Sequence, residues 1–194
     1  MAVIGVLAFQ GDFARHAEAV SRVGAEAVLV RRPEELGAID GLIIPGGEST
    51  TIGMLMDRFG LMEAVHARLS EGMALFGTCA GAILMARDIE NSTQPRLGVL
   101  PMTVRRNAYG RQIESFEANI RVDGVGPEPF DVTAVFIRAP LITAVEPDVA
   151  VLAAFESSPV VVQHGRLLAA TFHPELTENF AIHRYFVAMA TAVA

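Results

Sequence analysis

Hydrophobic positions fall into two kinds of run along this chain, and the alternation between them sets the architecture. Val3 to Phe9 is apolar except for Gly5, which suits a central strand covered on both faces. Asp12 stands where it can cap a helix whose Phe13, Ala17, Val20 and Val23 share one face. Ala27 to Val30 and Gly41 to Ile44 read as two further strands, the second stopping at Pro45-Gly46-Gly47. A helical pattern runs from about Thr50 to Leu69 with a break at Gly60. Ala74 to Gly77 then reads as a fourth strand, followed at once by a helix through Ala86. Strand–helix alternation of this kind predicts a parallel sheet with helices on both faces. The second half changes character. Val99 to Val104, Ser115 to Val122, Val132 to Ile137, Val149 to Phe155, Val160 to His164 and Leu167 to Phe172 are short strand candidates separated by turns. A last helix from about Glu178 to Val193 covers the sheet. The predicted class is α/β, a mostly parallel central sheet with a mixed or antiparallel extension in the C-terminal half.

Length and composition narrow the possibilities. The 194 residues suffice for one domain with a real core and leave little room for a second. Hydrophobic residues make up 52%, with a mean hydropathy of +0.40, as a well-covered sheet or a buried partner surface requires. The longest uncharged apolar stretch, Gly72 to Ala86, is interrupted by Gly77, Thr78 and Gly81 and falls short of the ~20 residues of a membrane span. The start, Met1-Ala2-Val3-Ile4-Gly5, carries no basic region, so no secretory signal is expected. Fifteen basic against 22 acidic residues give a net charge of −7, which disfavours binding nucleic acid by a basic surface. A single cysteine excludes an internal disulfide and fits the reducing cytoplasm.

That cysteine lies in Gly77-Thr78-Cys79-Ala80-Gly81, where strand gives way to helix. Small neighbours on both sides allow the strained turn of a nucleophile elbow, which lifts a side chain above the carboxyl ends of the strands. A thiol there also sits at a helix N-terminus, where partial positive charge favours a thiolate. The plain alternative is a buried cysteine in a Gly/Ala-rich packing turn. A thiolate needs a base, and the base needs an orienting group. Of five histidines, His16, His66 and His183 fall in helical segments, where an exposed or half-buried role is the default. His164 falls at a turn with Gly165. His173 follows a strand and precedes Pro174-Glu175. Proline keeps the preceding residue out of the helical region, so the segment is read as extended and His173 and Glu175 point the same way.

Pro45-Gly46-Gly47-Glu48-Ser49-Thr50 follows the third strand. Its glycines let backbone N–H groups face inward, and Gly47 N–H with Ala80 N–H is the expected oxyanion hole. The alternative is a plain Gly-Gly turn capped by Ser49 or Thr50. No Gly-Lys-Ser/Thr follows, so this is no phosphate loop. Ser49 lacks an elbow and is not a nucleophile candidate. Arg105-Arg106 and Arg138 end candidate strands, where arginine either reads a substrate carboxylate or makes surface ion pairs.

Taken together, these residues resemble the class I (triad) glutamine amidotransferase superfamily. Within it, Pro45 to Thr50, Phe76 to Gly81, Arg106-Asn107 with Gly110-Arg111-Gln112, Ser115-Phe116-Glu117, Phe136 to Pro140 and Phe172 to Thr177 are similar to the glutaminase subunits of pyridoxal 5′-phosphate synthases. The resemblance covers essentially the whole chain and is weakest over Asp123 to Phe130. It implies a flavodoxin-like three-layer sandwich forming one glutaminase domain over residues 1–194. It implies hydrolysis of L-glutamine through a γ-glutamyl thioester on Cys79, with His173 as base and Glu175 orienting it. Gly47, Glu48, Ser49, Arg106, Ile137 and Arg138 are then the glutamine-binding residues. No cofactor or metal is implied. The implied partner is a separate TIM-barrel synthase subunit, in a 1:1 hetero-oligomer, which takes the ammonia into vitamin B6 and without which such glutaminases are typically inactive. Two rivals remain at this point: a thiol peptidase or γ-glutamyl hydrolase on the same scaffold, and a binding module without activity.

Overall fold

The computed structural model describes residues 1–106, 115–124 and 128–192. Seven strands form the main sheet: β1 (Val3–Leu7), β2 (Glu26–Val30), β3 (Gly41–Ile44), β4 (Ala74–Thr78), β10 (Ala150–Phe155), β11 (Ser158–His164) and β12 (Leu167–Ala170). Their order is β10-β11-β12-β4-β3-β1-β2. From β2 to β12 all pairings are parallel, and β10 and β11 extend the edge antiparallel. This is the α/β class expected, with the chain order reversing between β1 and β3 as in flavodoxin-like sheets.

The central strands alternate their burial between two cores. Leu42, Ile44 and Leu75 pack with Ile52, Met56, Leu61 and Val65. These last four belong to α2 (Ser49–Arg58) and α3 (Leu61–Ser70), separated at Gly60 as the pattern predicted. Ile43, Ala74 and Phe76 point the other way. They meet Val20 of α1 (Phe13–Arg22) and Ile182, Phe186 and Ala190 of α5 (Ala181–Thr191). Both faces are therefore dry, which explains the near-continuous apolar strands. Among the described residues no helix is long and apolar enough to cross a membrane.

Two small sheets account for the rest. β5 (Ala86–Ile89), β6 (Leu100–Arg105) and β9 (Leu141–Val145) form one, and β7 (Ser115–Val122) pairs antiparallel with β8 (Phe130–Ile137) in the other. Strands β5 and β9 were not expected from the sequence. β5 follows the six-residue helix α4 (Ala80–Met85) without a turn, and Ala86-Arg87-Asp88-Ile89 carries two charges. β7 and β8 cover the lower core by stacking Phe116 on Phe136, ring centres 4.6 Å apart, with Phe136 reaching Phe172 edge-on at 5.6 Å. Residues 107 and 110–112 of the resemblance motif lie outside the described residues, as does Val193 at the predicted end of the last helix.

Candidate active site

Strand pairing brings together residues that are almost a hundred positions apart. β4 and β12 run parallel with Thr78 opposite Ala170, and Cys79 N–H donates to the Ala170 carbonyl at 2.9 Å. Three residues beyond Ala170, His173 N–H donates to the Val135 carbonyl at 2.8 Å, which fixes the exit of β12 against β8. The thiol of Cys79 and the ring of His173 thus face one pocket at the carboxyl end of the parallel strands, where open α/β sheets bind ligands.

Cys79 is the N-cap of α4 and has φ 48° and ψ −103°, a conformation rarely tolerated outside glycine. The elbow geometry read from the sequence is therefore present. Gly81 makes it possible. A Cβ at that position would lie 2.0 Å from the Ile44 carbonyl oxygen, so only glycine lets α4 start against β3. Because the obstacle is backbone of the neighbouring strand, Gly81→Ala is expected to push the start of α4 outward. We expect a loss of about 3 kcal/mol, read as a fall in Tm of roughly 6–12 °C, together with loss of the site's activity. An unchanged Tm would contradict this packing.

His173 Nδ1 lies 2.8 Å from Glu175 Oε1. The pairing was predicted, but the backbone reason is different. Pro174–Leu176 is a 3-10 turn, not an extended segment, and His173 alone keeps the non-helical ψ of 86° that proline demands. The Glu175 side chain has no exposed surface. Burial opposes its ionisation, yet the proximity of the His16 ring, and then the hydrogen bond to His173, hold the carboxyl well below its usual range. For His173, burial acts to lower the ring. Contact with Cys79 and Glu175 overcomes this and raises it to about 10. A charged imidazole backed by a buried carboxylate and set beside a cysteine is the arrangement that can activate a thiol.

The pocket has a volume of about 430 Å³. Gly46, Gly47, Glu48, Ser49, Cys79, Ala80, Arg106, Ile137, Arg138 and His173 all line it, so every substrate residue expected from the resemblance reaches one cavity. Gly46 runs hard against the imidazole, since a Cβ there would lie 2.4 Å from His173 Cε1. Gly47 has φ 147°, open to glycine alone in practice. The Cys79 thiol points at the Ile137 carbonyl oxygen, 3.8 Å away, and Arg138 follows with φ 43°.

Glu48, not Ser49 or Thr50, caps α2. Its carboxylate accepts from Thr50 N–H at 3.3 Å and Thr51 N–H at 2.8 Å. It also accepts from Arg106 Nη2 at 3.0 Å. Arg106 Nη1 donates to Gln94 Oε1 at 2.6 Å, and that oxygen also receives the Ser49 and Thr50 hydroxyls. The two arginines at the end of β6 take the two roles left open. Arg105 pairs with Glu90 on the surface, Nε to Oε2 2.7 Å, while Arg106 turns into the pocket. Asp12 occupies the N-cap of α1, but among the described residues its side chain makes no capping hydrogen bond.

Four participants escaped the sequence reading. Gln10 Oε1 accepts from Glu48 N–H at 2.9 Å and Gln94 organises the arginine, but a lone glutamine has no pattern. His16 and His183 are fully buried, against the exposed or half-buried role expected of helical histidines. Their helical spacing carries the signal in hindsight: His16 shares a face with Ala19 and Val20, and His183 with Phe186 and Ala190. His66 is exposed, and His164, read as a turn residue, is instead the last residue of β11, its Nε2 paired with Asp148 Oδ2 at 3.0 Å. Among the described residues no group of three or more His, Cys, Asp or Glu side chains is arranged to hold a metal ion.

Comparison with known proteins agrees with the geometry. Residues 6–192 match the model of the SNO glutamine amidotransferase family. The pyridoxal 5′-phosphate synthase subunit PdxT of Desulforudis audaxviator is 55% identical over 187 residues, covering 96% of this chain and 98% of the relative. The subunit of the same name from Thermus thermophilus is 54% identical over 190 residues, 97% of each. A crystal structure of a glutamine amidotransferase superposes with a TM-score of 0.92 at 51% identity, covering 98% of this chain and all of the other. The resemblance drawn from the motifs is borne out: this chain belongs to the SNO glutamine amidotransferase family.

Proposed function

We propose that this chain is the glutaminase subunit of a pyridoxal 5′-phosphate synthase, hydrolysing L-glutamine to L-glutamate and ammonia. The observation that carries the reading is the line Cys79, His173, Glu175 opening onto a cavity whose other walls are Gly47, Glu48, Ser49, Arg106, Ile137 and Arg138. The thiolate of Cys79 attacks the side-chain amide carbon of glutamine. The carbonyl oxygen becomes an oxyanion held by the N–H groups of Gly47 and Ala80, each contributing about 3–4 kcal/mol to lowering the barrier. His173 gives its proton to the departing nitrogen, which leaves as ammonia, and the C–S bond of a γ-glutamyl thioester remains. His173, now neutral, takes a proton from water, the hydroxide adds to the thioester, and glutamate leaves as the thiolate is restored. Glu175 keeps the imidazole in one tautomer throughout. Arg106 and Arg138 are the cations for the substrate α-carboxylate, and Glu48 is the counter-charge for its ammonium.

Residues 1–194 act as a single glutaminase domain. The ammonia passes to a separate TIM-barrel synthase subunit, bound 1:1 in the cytoplasm, which builds the B6 ring. The test compares glutamine with a γ-glutamyl peptide, each with the chain alone and with the synthase subunit added. Glutamate and ammonia should appear from glutamine, with a kcat/KM at least about 10-fold higher in the complex, while the peptide stays intact. Cleavage of the peptide with glutamine untouched would instead identify a γ-glutamyl hydrolase or peptidase.

A further inference from the structure

Behind Glu175, on the side away from the thiol, stand two histidines that the reaction above does not use. His16 comes from α1 and His183 from α5, and neither has exposed surface. His16 Nε2 lies 3.2 Å from Glu175 Oε2 and 3.2 Å from Thr78 Oγ1. Its Nδ1 lies 3.0 Å from His183 Nε2. Among the described residues His183 Nδ1 has no hydrogen-bond partner, and its ring meets the edges or faces of Phe76 and Phe180. Side chains 79, 173, 175, 16 and 183 therefore form one file from the pocket into the core.

Resting on the glutaminase reading, we propose that His16, held in one tautomer by His183, is a positioning residue: it donates from Nε2 to the second oxygen of Glu175 and keeps that carboxylate ionised and aligned on His173. A carboxylate wholly removed from water needs donors on both oxygens. Oε1 has His173. Oε2 has His16, which it shares with the Thr78 hydroxyl and meets at ion-pair distance without a well-aligned hydrogen bond.

The N···N contact of 3.0 Å between the two histidines holds one proton. If His183 Nε2–H donates, His16 carries its own proton on Nε2, aimed at Glu175 and Thr78, and a bare lone pair is left at His183 Nδ1 among aromatic rings. If His16 Nδ1–H donates, a lone pair faces the carboxylate and an N–H is buried without an acceptor. The first arrangement avoids both penalties. Burial, and then the proximity of His16, lower His183 to about 3, so it stays a neutral tautomer-setter. The titratable groups facing His16 are Glu175 from the 3-10 turn and His183 from α5, with His173 and Cys79 next in line.

The test is made on the complex with the synthase subunit, using His16→Leu, His16→Gln and His183→Phe. Glutamine places an amide donor near the lost Nε2, whereas leucine fills the space without one. His16→Leu should lower kcat about 10–100-fold with KM within twofold. The downfield Nδ1 proton resonance of His173 should weaken with it, and the pH profile of kcat should shift. His16→Gln should restore both the resonance and most of kcat. His183→Phe, which stands away from Glu175, should lower kcat about 10-fold and guards against failure of the leucine variant to fold. The proposal is overturned if the folded variants keep kcat and the resonance, or if His16→Gln falls as far as His16→Leu. Absence of glutaminase activity in the wild-type complex would instead overturn the functional reading beneath it.

Discussion

Cys79→Ala is expected to abolish glutamate release: kcat in the synthase complex should fall at least about 10⁴-fold, the scale seen when a nucleophile is removed from a working triad. The fold should survive. Alanine meets the same positive φ as cysteine at the elbow, the 2.9 Å hydrogen bond from residue 79 to Ala170 is a backbone bond, and the sulfur is the only group lost. A second consequence distinguishes this from a packing defect. His173 is raised to about 10 in part by the Cys79 side chain, so the ring should release its proton at lower pH once the thiol is gone. The sign follows from linkage. A histidine raised in the folded state adds stability that is complete below its unfolded value of ~6.5 and is lost as pH climbs towards 10. The variant should therefore show a smaller drop in Tm than wild type across that alkaline window. Turnover near the wild-type rate would refute the nucleophile assignment.

Glu175→Gln is the second large effect. It keeps the shape of the side chain and removes its charge, so the expected loss is about 10⁴-fold in kcat, as when an orienting carboxylate becomes an amide. Two physical losses combine. The imidazolium formed as Cys79 gives up its proton has no buried counter-charge, and the amide NH₂, if it faces Nδ1, selects the wrong tautomer. On the far side, His16 loses the acceptor at 3.2 Å. KM should change little, because Glu175 is not among the pocket-lining residues. Steady-state kinetics of the complex would check this, and a variant with kcat within tenfold of wild type would mean that His173 needs no orienting carboxylate.

The sheet was legible wherever burial is two-sided. Val3–Leu7, Gly41–Ile44 and Ala74–Thr78 are short apolar runs ended by glycine or an elbow, and their boundaries were read to within two residues. β5 and β9 were not, because neither carries a clear period and both belong to a three-stranded sheet assembled from distant segments. The catalytic candidates were readable because each has local chemistry attached: an elbow for Cys79 and a proline beside His173. What lies behind them was hidden. The partnership of His16 and His183, 167 residues apart, exists only because α1 and α5 pack on the same face of the sheet. The 3-10 turn at Pro174–Leu176 escaped for the opposite reason: proline before glutamate constrains the residue ahead of it, not the one behind.

On the proposed mechanism the sulfur of Cys79 becomes acylated during turnover. Mixing the complex with glutamine, quenching it in acid within the first turnover and digesting it for mass spectrometry tests this directly. A γ-glutamyl increment on the peptide containing Cys79, absent from Cys79→Ala, is the predicted result. Full glutamate production with Cys79 unmodified at every quench time, or the increment carried by another residue, would contradict the account.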